Sequence, residues 1–352
     1  MDRQVAGRDP AVADLLEKFV CVRIVQANGM DLSLFQFDYN LTWAVVFLNA
    51  DRTVYGRYGS RSSHDPNKDM SIESFRKAME GALELHAGYP ANKASLGGKT
   101  GPKPRHPTPE GYPTLKKFYT PVITPGKPDS CMHCHQITNN EFRFYRGARQ
   151  PIPDETLFDY PMPDTLGLSL DRNERATVSA VAAGSSAEKD GFKAGDQILS
   201  LEGQPLVSIA DVQWVLTQAK KATRLKAEVK RGVAAQSLTL SLPAGWRRKG
   251  DISWRGSNEI ISPIPDESED LPADEKKKLG LAAAATAIRV KWAGRGFQRD
   301  DVIVEADGKR TWTASELLAY VAQQRMPGDK LSLTVLRAGK EQKLQLTLEF
   351  KE

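Results

Sequence analysis

Apolar and polar positions change their rhythm several times along the chain. Between residues 17 and 60, apolar side chains alternate in the manner of buried strands. Phe19-Val20-Cys21-Val22-Arg23-Ile24-Val25 is apolar and β-branched and predicts a strand. Asp31 to Phe37 reads as a short helix and Trp43 to Leu48 as a second strand. Thr53 to Tyr58 reads as the return arm of a hairpin turned at Asn49-Ala50-Asp51-Arg52. From Ser71 to His86 the period lengthens to that of a helix. Phe75, Ala78, Met79, Ala82, Leu83 and Leu85 fall mainly on one face, and Ser71 is placed to cap it.

In the second half the pattern repeats itself. Gly191-Phe192-Lys193-Ala194-Gly195-Asp196-Gln197-Ile198-Leu199 matches Gly296-Phe297-Gln298-Arg299-Asp300-Asp301-Val302-Ile303-Val304, and Glu202-Gly203 matches Asp307-Gly308. The match continues on both sides, and an internal repeat of this length fixes the fold more firmly than any single motif. Gly-Asp turns the chain into a buried strand, and the acidic-Gly pair turns it again because Gly tolerates positive φ. Helices are predicted over Ile209 to Ala219 and Ser315 to Gln324, with closing hairpins over Ala227 to Leu242 and Leu331 to Phe350.

These features resemble the PDZ domains of bacterial proteases and secretion proteins. The resemblance implies that a peptide adds as a strand beside the strand opening at a Leu-Gly loop, with its terminal carboxylate held by that loop's backbone N–H groups. In the first copy this is Leu166-Gly167-Leu168-Ser169-Leu170, with Val212, Val215 and Leu216 on the helix side and Ile209 at its start; in the second it is Leu279-Gly280-Leu281-Ala282. The bland alternative is that both modules only pack against their neighbours. The early segment, from Phe19 through Tyr58 to Arg61, resembles the thioredoxin-like part of a bacterial family of thioredoxin/PDZ-domain proteins, some of them selenoproteins. Two features depart from it. No Cys-x-x-Cys lies upstream of Cys21, and Thr42-Trp43 stands where thioredoxins place a proline. The redox half of that domain is therefore expected to be absent or degenerate.

The expected fold class is α+β multidomain: a partial thioredoxin-like α/β segment followed by two PDZ-like β-barrel domains. The boundaries are a thioredoxin-like, N-terminally incomplete segment at 1–88, a Pro/Gly-rich connector at 89–163, the first PDZ domain at 164–245, a linker at 246–278, and a PDZ-like domain at 279–352. The start Met1-Asp2-Arg3-Gln4 is polar, carries no signal peptide and runs straight into a helix at Ala11 to Leu16, so the chain is expected to begin internally.

Composition narrows the function classes. The chain has 352 residues, is 40% hydrophobic and 26% charged, and carries a net charge of +5. No basic cluster is long enough for a nucleic-acid footprint, and no apolar run approaches the ~18 residues of a membrane span. All five histidines lie before residue 136, no Gly-x-Ser-x-Gly is present, and Gly98-Lys99-Thr100 lacks the remainder of a phosphate loop. No catalytic residues are assigned, and a stand-alone enzyme is not expected.

Cys131-Met132-His133-Cys134-His135 has the spacing of a c-type haem attachment site, in which two thiols add to vinyl groups and the next His ligates iron. Met162 is the candidate sixth ligand and His106 a weaker one. A redox dithiol, a Zn²⁺ site with His133 and His135, and chance occurrence stay open beside haem c. Cys21 reads as a buried strand residue. The expectation is an exported, periplasmic protein that binds peptide or protein C-termini through its first PDZ domain. It would use haem for electron transfer or sensing and have a possible redox partner protein. The alternative is a thiol-disulfide oxidoreductase, or a fragment of one, with PDZ modules for substrate selection.

Overall fold

The computed structural model describes residues 9–118, 131–219, 221–265 and 268–349. The polar start Met1–Gln4 and the connector stretch 119–130 lie outside the described residues. The chain divides into two compact units. The first comprises Met1–Cys134 and Asp159–Gly250, the second His135–Phe158 and Asp251–Glu352. The longer helices are α1 (Ile72–Ala87), α2 (His135–Gly147), α3 (Ile209–Gln218) and α4 (Ala314–Gln324).

The first unit opens with a hairpin. Strands β1 (Val45–Leu48) and β2 (Val54–Tyr58) pair antiparallel, Val45 opposite Tyr58 and Phe47 opposite Gly56. Helix α1 begins at a capping box in which the Ser71 and Ser74 side chains serve each other's backbone N–H. Its apolar face, with Phe75, Ala78, Met79 and Ala82, closes on Phe47, Tyr55 and Tyr58.

Several expectations for this region fail, among them the short helix at Asp31 to Phe37, which forms turns instead. Residues 19–25 form no strand, and Val20 and Val22 are 96% and 80% exposed. Cys21, expected inside a buried strand, is exposed too. A strand needs a neighbour for its backbone groups, and this sheet consists of β1 and β2 alone. The thioredoxin-like segment is therefore not supported: a two-stranded hairpin with one helix lacks the central sheet that name requires.

The rest of the first unit is the first repeat. Strand β3 (Leu168–Leu170) pairs antiparallel with β4 (Val178–Val181). Strands β5 (Gln197–Leu201), β6 (Gln204–Pro205), β7 (Thr223–Arg231) and β8 (Ala234–Leu242) form a separate sheet in the order β6-β5-β7-β8. Leu168, Val178, Ile198, Val212, Leu216, Val229 and Leu240 share one buried core with Trp246.

The second unit holds the second repeat. Strands β9 (Glu269–Asp270), β10 (Ile288–Arg289), β11 (Val302–Ala306), β12 (Lys330–Arg337) and β13 (Lys340–Thr347) form one sheet in the order β13-β12-β11-β10-β9. The barrels expected for both repeats are not closed. The first repeat splits its strands between two sheets and the second keeps an open one, because no ladder joins the outermost strands.

The repeat seen in sequence holds at the level of single bonds. Arg231 donates from Nε and Nη2 to Asp196 at 2.6 and 2.7 Å and also to Gly191 O; Arg337 does the same to Asp301 at 2.9 and 2.7 Å and to Gly296 O. Each Asp also accepts an N–H three residues upstream, from Lys193 and Gln298. The aspartate at each Gly-Asp or Asp-Asp turn thus clamps turn to hairpin. The nearby guanidinium and N–H groups outweigh desolvation and hold both carboxyls below the usual carboxylate range.

Candidate functional site

In the first repeat the Leu-Gly loop is built from a 3-10 turn, Pro163–Leu166, that ends at Gly167. Gly167 has φ of +89°, and a Cβ there would lie 2.2 Å from Ser185 Cβ, so the turn admits only glycine. The chain then enters β3. Gly167 O accepts from Ala182 N, Ser169 O accepts from Ser179 Oγ, and Asp171 N donates to Thr177 O. Residues 167, 169 and 171 therefore face β4. Strand alternation points the N–H and C=O of Leu168 and Leu170 to the opposite edge, where no strand pairs among the described residues. This edge has the backbone groups to accept a further strand.

The sequence-predicted residues are brought together, with a difference in exposure. Leu166, Leu168, Val212, Val215 and Leu216 are all buried in one core. Leu170 is half-buried, and Ser169 is exposed. The apolar floor is thus already packed, and what the site offers is backbone.

Helix α3 is held on its other faces by residues that the sequence reading passed over. Asp211 and Lys99 are both 0% exposed and form an ion pair at 2.8 Å. The same carboxylate accepts from Arg57 N and Val207 N. Arg57 lies over the Trp214 ring, 3.7 Å from its centroid, and donates to the carbonyls of Gln36 and Lys99. Trp214 Nε1 donates to Gly98 O at 2.8 Å. Backbone closeness makes this possible: a Cβ on Gly56 would sit 2.3 Å from Val207 Cγ2 and 2.7 Å from Asp211 Oδ2. Burial pushes Lys99 down despite its partner. An Asp between Ile209-Ala210 and Val212 at the start of the helix was the available signal. On a further face, Tyr160 N donates to Thr217 Oγ1 and Gln213 donates to Tyr160 O.

The second repeat keeps the helix, but no strand follows its Leu-Gly pair, and Ala282, Ala283 and Ala284 are exposed. An alanine run has weak strand preference, whereas Leu168-Ser169-Leu170 alternates with branched side chains turned inward. Strand β10 pairs instead with β9, Ile288 opposite Asp270. The Asp270 carboxylate accepts from Ala314 N at 3.0 Å and so ties that strand to the start of α4. Phe142, Ile152, Leu157 and Phe158 pack on Leu318 and Ala322 of α4.

The Cys-x-x-Cys-His motif runs from a loop into a helix. Cys131 and Cys134 belong to the first unit, and His135 belongs to the second, where it opens α2. Ala27 N donates to Met132 O, and Met132 N to the Asn28 side chain, which pins the loop between the cysteines. Burial pushes the Cys134 thiol up, opposite to the shift that makes a reactive thiolate. Met162 is half-buried, and its carbonyl accepts from Thr165 Oγ1 and N at the Leu-Gly turn. His106 packs edge-on against Tyr112 at 4.5 Å.

Known proteins resemble the chain in its second half and beyond. The PDZ domain family pattern matches residues 164–242 and 290–348, so the chain carries two PDZ domains. A DegP-like periplasmic serine endoprotease of Pseudomonas savastanoi pv. phaseolicola is 30% identical over 178 residues, covering 49% of this chain and 37% of that protein. The periplasmic pH-dependent serine endoprotease DegQ of Escherichia coli is 28% identical over 165 residues, covering 44% of this chain and 33% of that protein. The chain therefore spans about a third of the length of these relatives. A solved HtrA-type protease with a decapeptide covers 37% of this chain at 17% identity, with a TM-score of only 0.23.

The haem c expectation at Cys131, Cys134 and His135, with Met162 as sixth ligand, is overturned. The relatives are serine endoproteases, whose chemistry needs no haem. Among the described residues no group of three or more His, Cys, Asp or Glu is arranged to hold a metal ion. The expected redox partner and oxidoreductase activity find no support in these relatives either.

Proposed function

We propose that this chain is an exported peptide-recognition protein in which only the first PDZ domain takes a ligand, by adding the C-terminal end of a partner protein as a strand beside β3. The observation that carries this reading is the free edge of β3, with the N–H and C=O of Leu168 and Leu170 turned toward no other strand among the described residues. The buried apolar floor of Leu166, Leu168, Val212, Val215 and Leu216 fixes that edge in place, so main-chain bonds supply the affinity and the half-buried Leu170 and exposed Ser169 tune it. The second domain acts as structure: no strand follows its Leu-Gly pair, and β9, the strand at its sheet edge, is tied through Asp270 to the start of α4. The periplasmic setting of the relatives supports export, and among the described residues no helix is long and apolar enough to cross a membrane.

Leu170→Pro is the test. Its N–H points away from β4, so proline removes a donor from the ligand edge without breaking the β3–β4 ladder. A fluorescein-labelled peptide ending in valine, titrated by anisotropy, should bind the intact chain with one equivalent. Binding should fall at least about tenfold in the variant, roughly 1.4 kcal/mol, at an unchanged unfolding temperature. Two equivalents bound, or affinity untouched by the proline, rejects the assignment to β3.

A further inference from the structure

We infer that the cavity beside Arg146 in the second unit binds a small monocarboxylate with an apolar body, gripped by the Nε and Nη2 edge of the Arg146 guanidinium. This goes beyond the peptide reading, involves neither the β3 edge nor the first PDZ domain, and can fail without it.

The cavity has a volume of about 210 Å³ and lies wholly within the second unit. Ile260, Ile261, Val321 and Leu348 give it apolar walls, and all four are buried. Arg146, in the last turn of α2, joins this lining with only 4% exposure. Its Nη1 donates to the carbonyls of Val321 and Arg325 at the end of α4. Among the described residues nothing accepts a hydrogen bond from its Nε or Nη2, and neither atom is shut off from solvent. A guanidinium stays charged in a protein. Burial pushes Arg146 down from its ordinary value, and the charge of Asp329 pulls the other way. The Asp329 carboxylate accepts from Met326 N and forms no ion pair with Arg146. The charge is thus buried without a counter-ion in contact, an arrangement that is costly until an anion arrives.

The chain itself shows what such an edge holds. Arg231 and Arg337 each present Nε and Nη2 to one carboxylate, Asp196 and Asp301, at 2.6–2.9 Å. These two N–H groups run parallel and match the two oxygens of a carboxylate. In Arg146 the same edge borders a cavity. Arg295 brings a second guanidinium to the lining, with its Nη1 donating to Ser262 O at 2.7 Å. Glu259 and Glu349 line it as well, and the Glu259 carboxylate is engaged by Asn139 Nδ2. Their negative charges disfavour a dianion such as phosphate and leave room for a single charge. The isoleucine and leucine walls favour an apolar body behind that charge.

The experiment titrates the full chain with benzoate and with its neutral isostere benzamide, followed by ligand-observed NMR. The intact chain should bind benzoate at least about tenfold more tightly than benzamide. Inorganic phosphate should displace benzoate only at higher concentration than benzoate itself; the reverse order overturns the ligand class. Arg146→Lys keeps a charge for the two carbonyls but has no fork, and should bring benzoate to within about threefold of benzamide. A folded R146K that keeps the full preference overturns the inference. If R146K does not fold, Arg295→Glu at the exposed side decides. It should weaken benzoate at least about threefold and leave benzamide unchanged, and an unaltered benzoate affinity overturns the inference. An intact chain that binds neither compound, or both alike, overturns it as well. The valine-ending peptide plays no part in these titrations, so their failure is distinguishable from failure of the β3 assignment.

Discussion

The two PDZ domains share a sequence pattern and a clamp, yet they solve the third position of their central helix in opposite ways. In the first, Ser208 caps α3 and Asp211 is buried against Lys99. In the second, Thr313 caps α4, and the residue in Asp211's place, Glu316, reaches back to the Thr313 N–H in a capping box at the surface. The same helix position is thus an internal anchor in one copy and a local cap in the other. A repeat conserves the backbone plan, while what each copy packs against decides whether a polar residue is worth burying.

The largest difference should follow from removing those two acids. Asp211→Ala leaves Lys99 and the Arg57 and Val207 N–H groups without their acceptor in the interior, and a buried charge stripped of its partner costs about 3–5 kcal/mol. Glu316→Ala removes one exposed cap bond and should cost about 0.5–1 kcal/mol. Chemical denaturation of the full chain, followed by far-ultraviolet circular dichroism, which reports on both units, measures both. Similar costs for the two would show that Asp211 is not an anchor.

The clamp should behave alike in both copies, and pH sharpens this. Asp196 and Asp301 are both held below their ordinary value, so each contributes stability that is fully present above the unfolded carboxyl pKa of about 3.9 and is lost as pH falls through the lower folded value. Asp196→Asn and Asp301→Asn should each cost about 1–3 kcal/mol at neutral pH. The gap between each variant and the parent should close as the pH drops below about 4. A gap that widens in acid would contradict the assignment for that copy.

The smallest effect concerns the caps. Ser208 Oγ accepts from Ala210 N and also donates to Arg57 O, whereas Thr313 Oγ1 accepts from Glu316 N within its own helix. Removing a cap costs about 0.5–2 kcal/mol, so Ser208→Ala should fall at the upper end and Thr313→Ala at the lower. Equal melting temperatures for the two variants would show that the bond to Arg57 adds nothing.

Local signals carried the sequence far within each repeat. Gly167, Gly203 and Gly308 occupy turns that require positive φ, and the alternation at Leu168-Ser169-Leu170 is enough to specify a strand. Helices α3 and α4 and both closing hairpins appear where their periodicities place them. These features depend on neighbours within a few residues, and such neighbours are legible in one dimension. The expectations that failed concern partners distant in sequence. Residues 19–25 have the composition of a strand, but a strand exists only where a sheet edge receives it. Cys-x-x-Cys-His has the spacing of a haem site, but among the described residues no group of His, Cys, Asp or Glu is arranged to hold a metal ion. Asp211, Lys99, Arg57 and Arg247 look like ordinary surface charges in sequence, and only packing shows them buried, because burial is a property of everything that surrounds a side chain. The sequence by itself determined two PDZ domains, their turns and their candidate ligand loop; tertiary structure decided which of the two forms a strand after its Leu-Gly pair, since in the second copy β9 takes the place beside β10 instead.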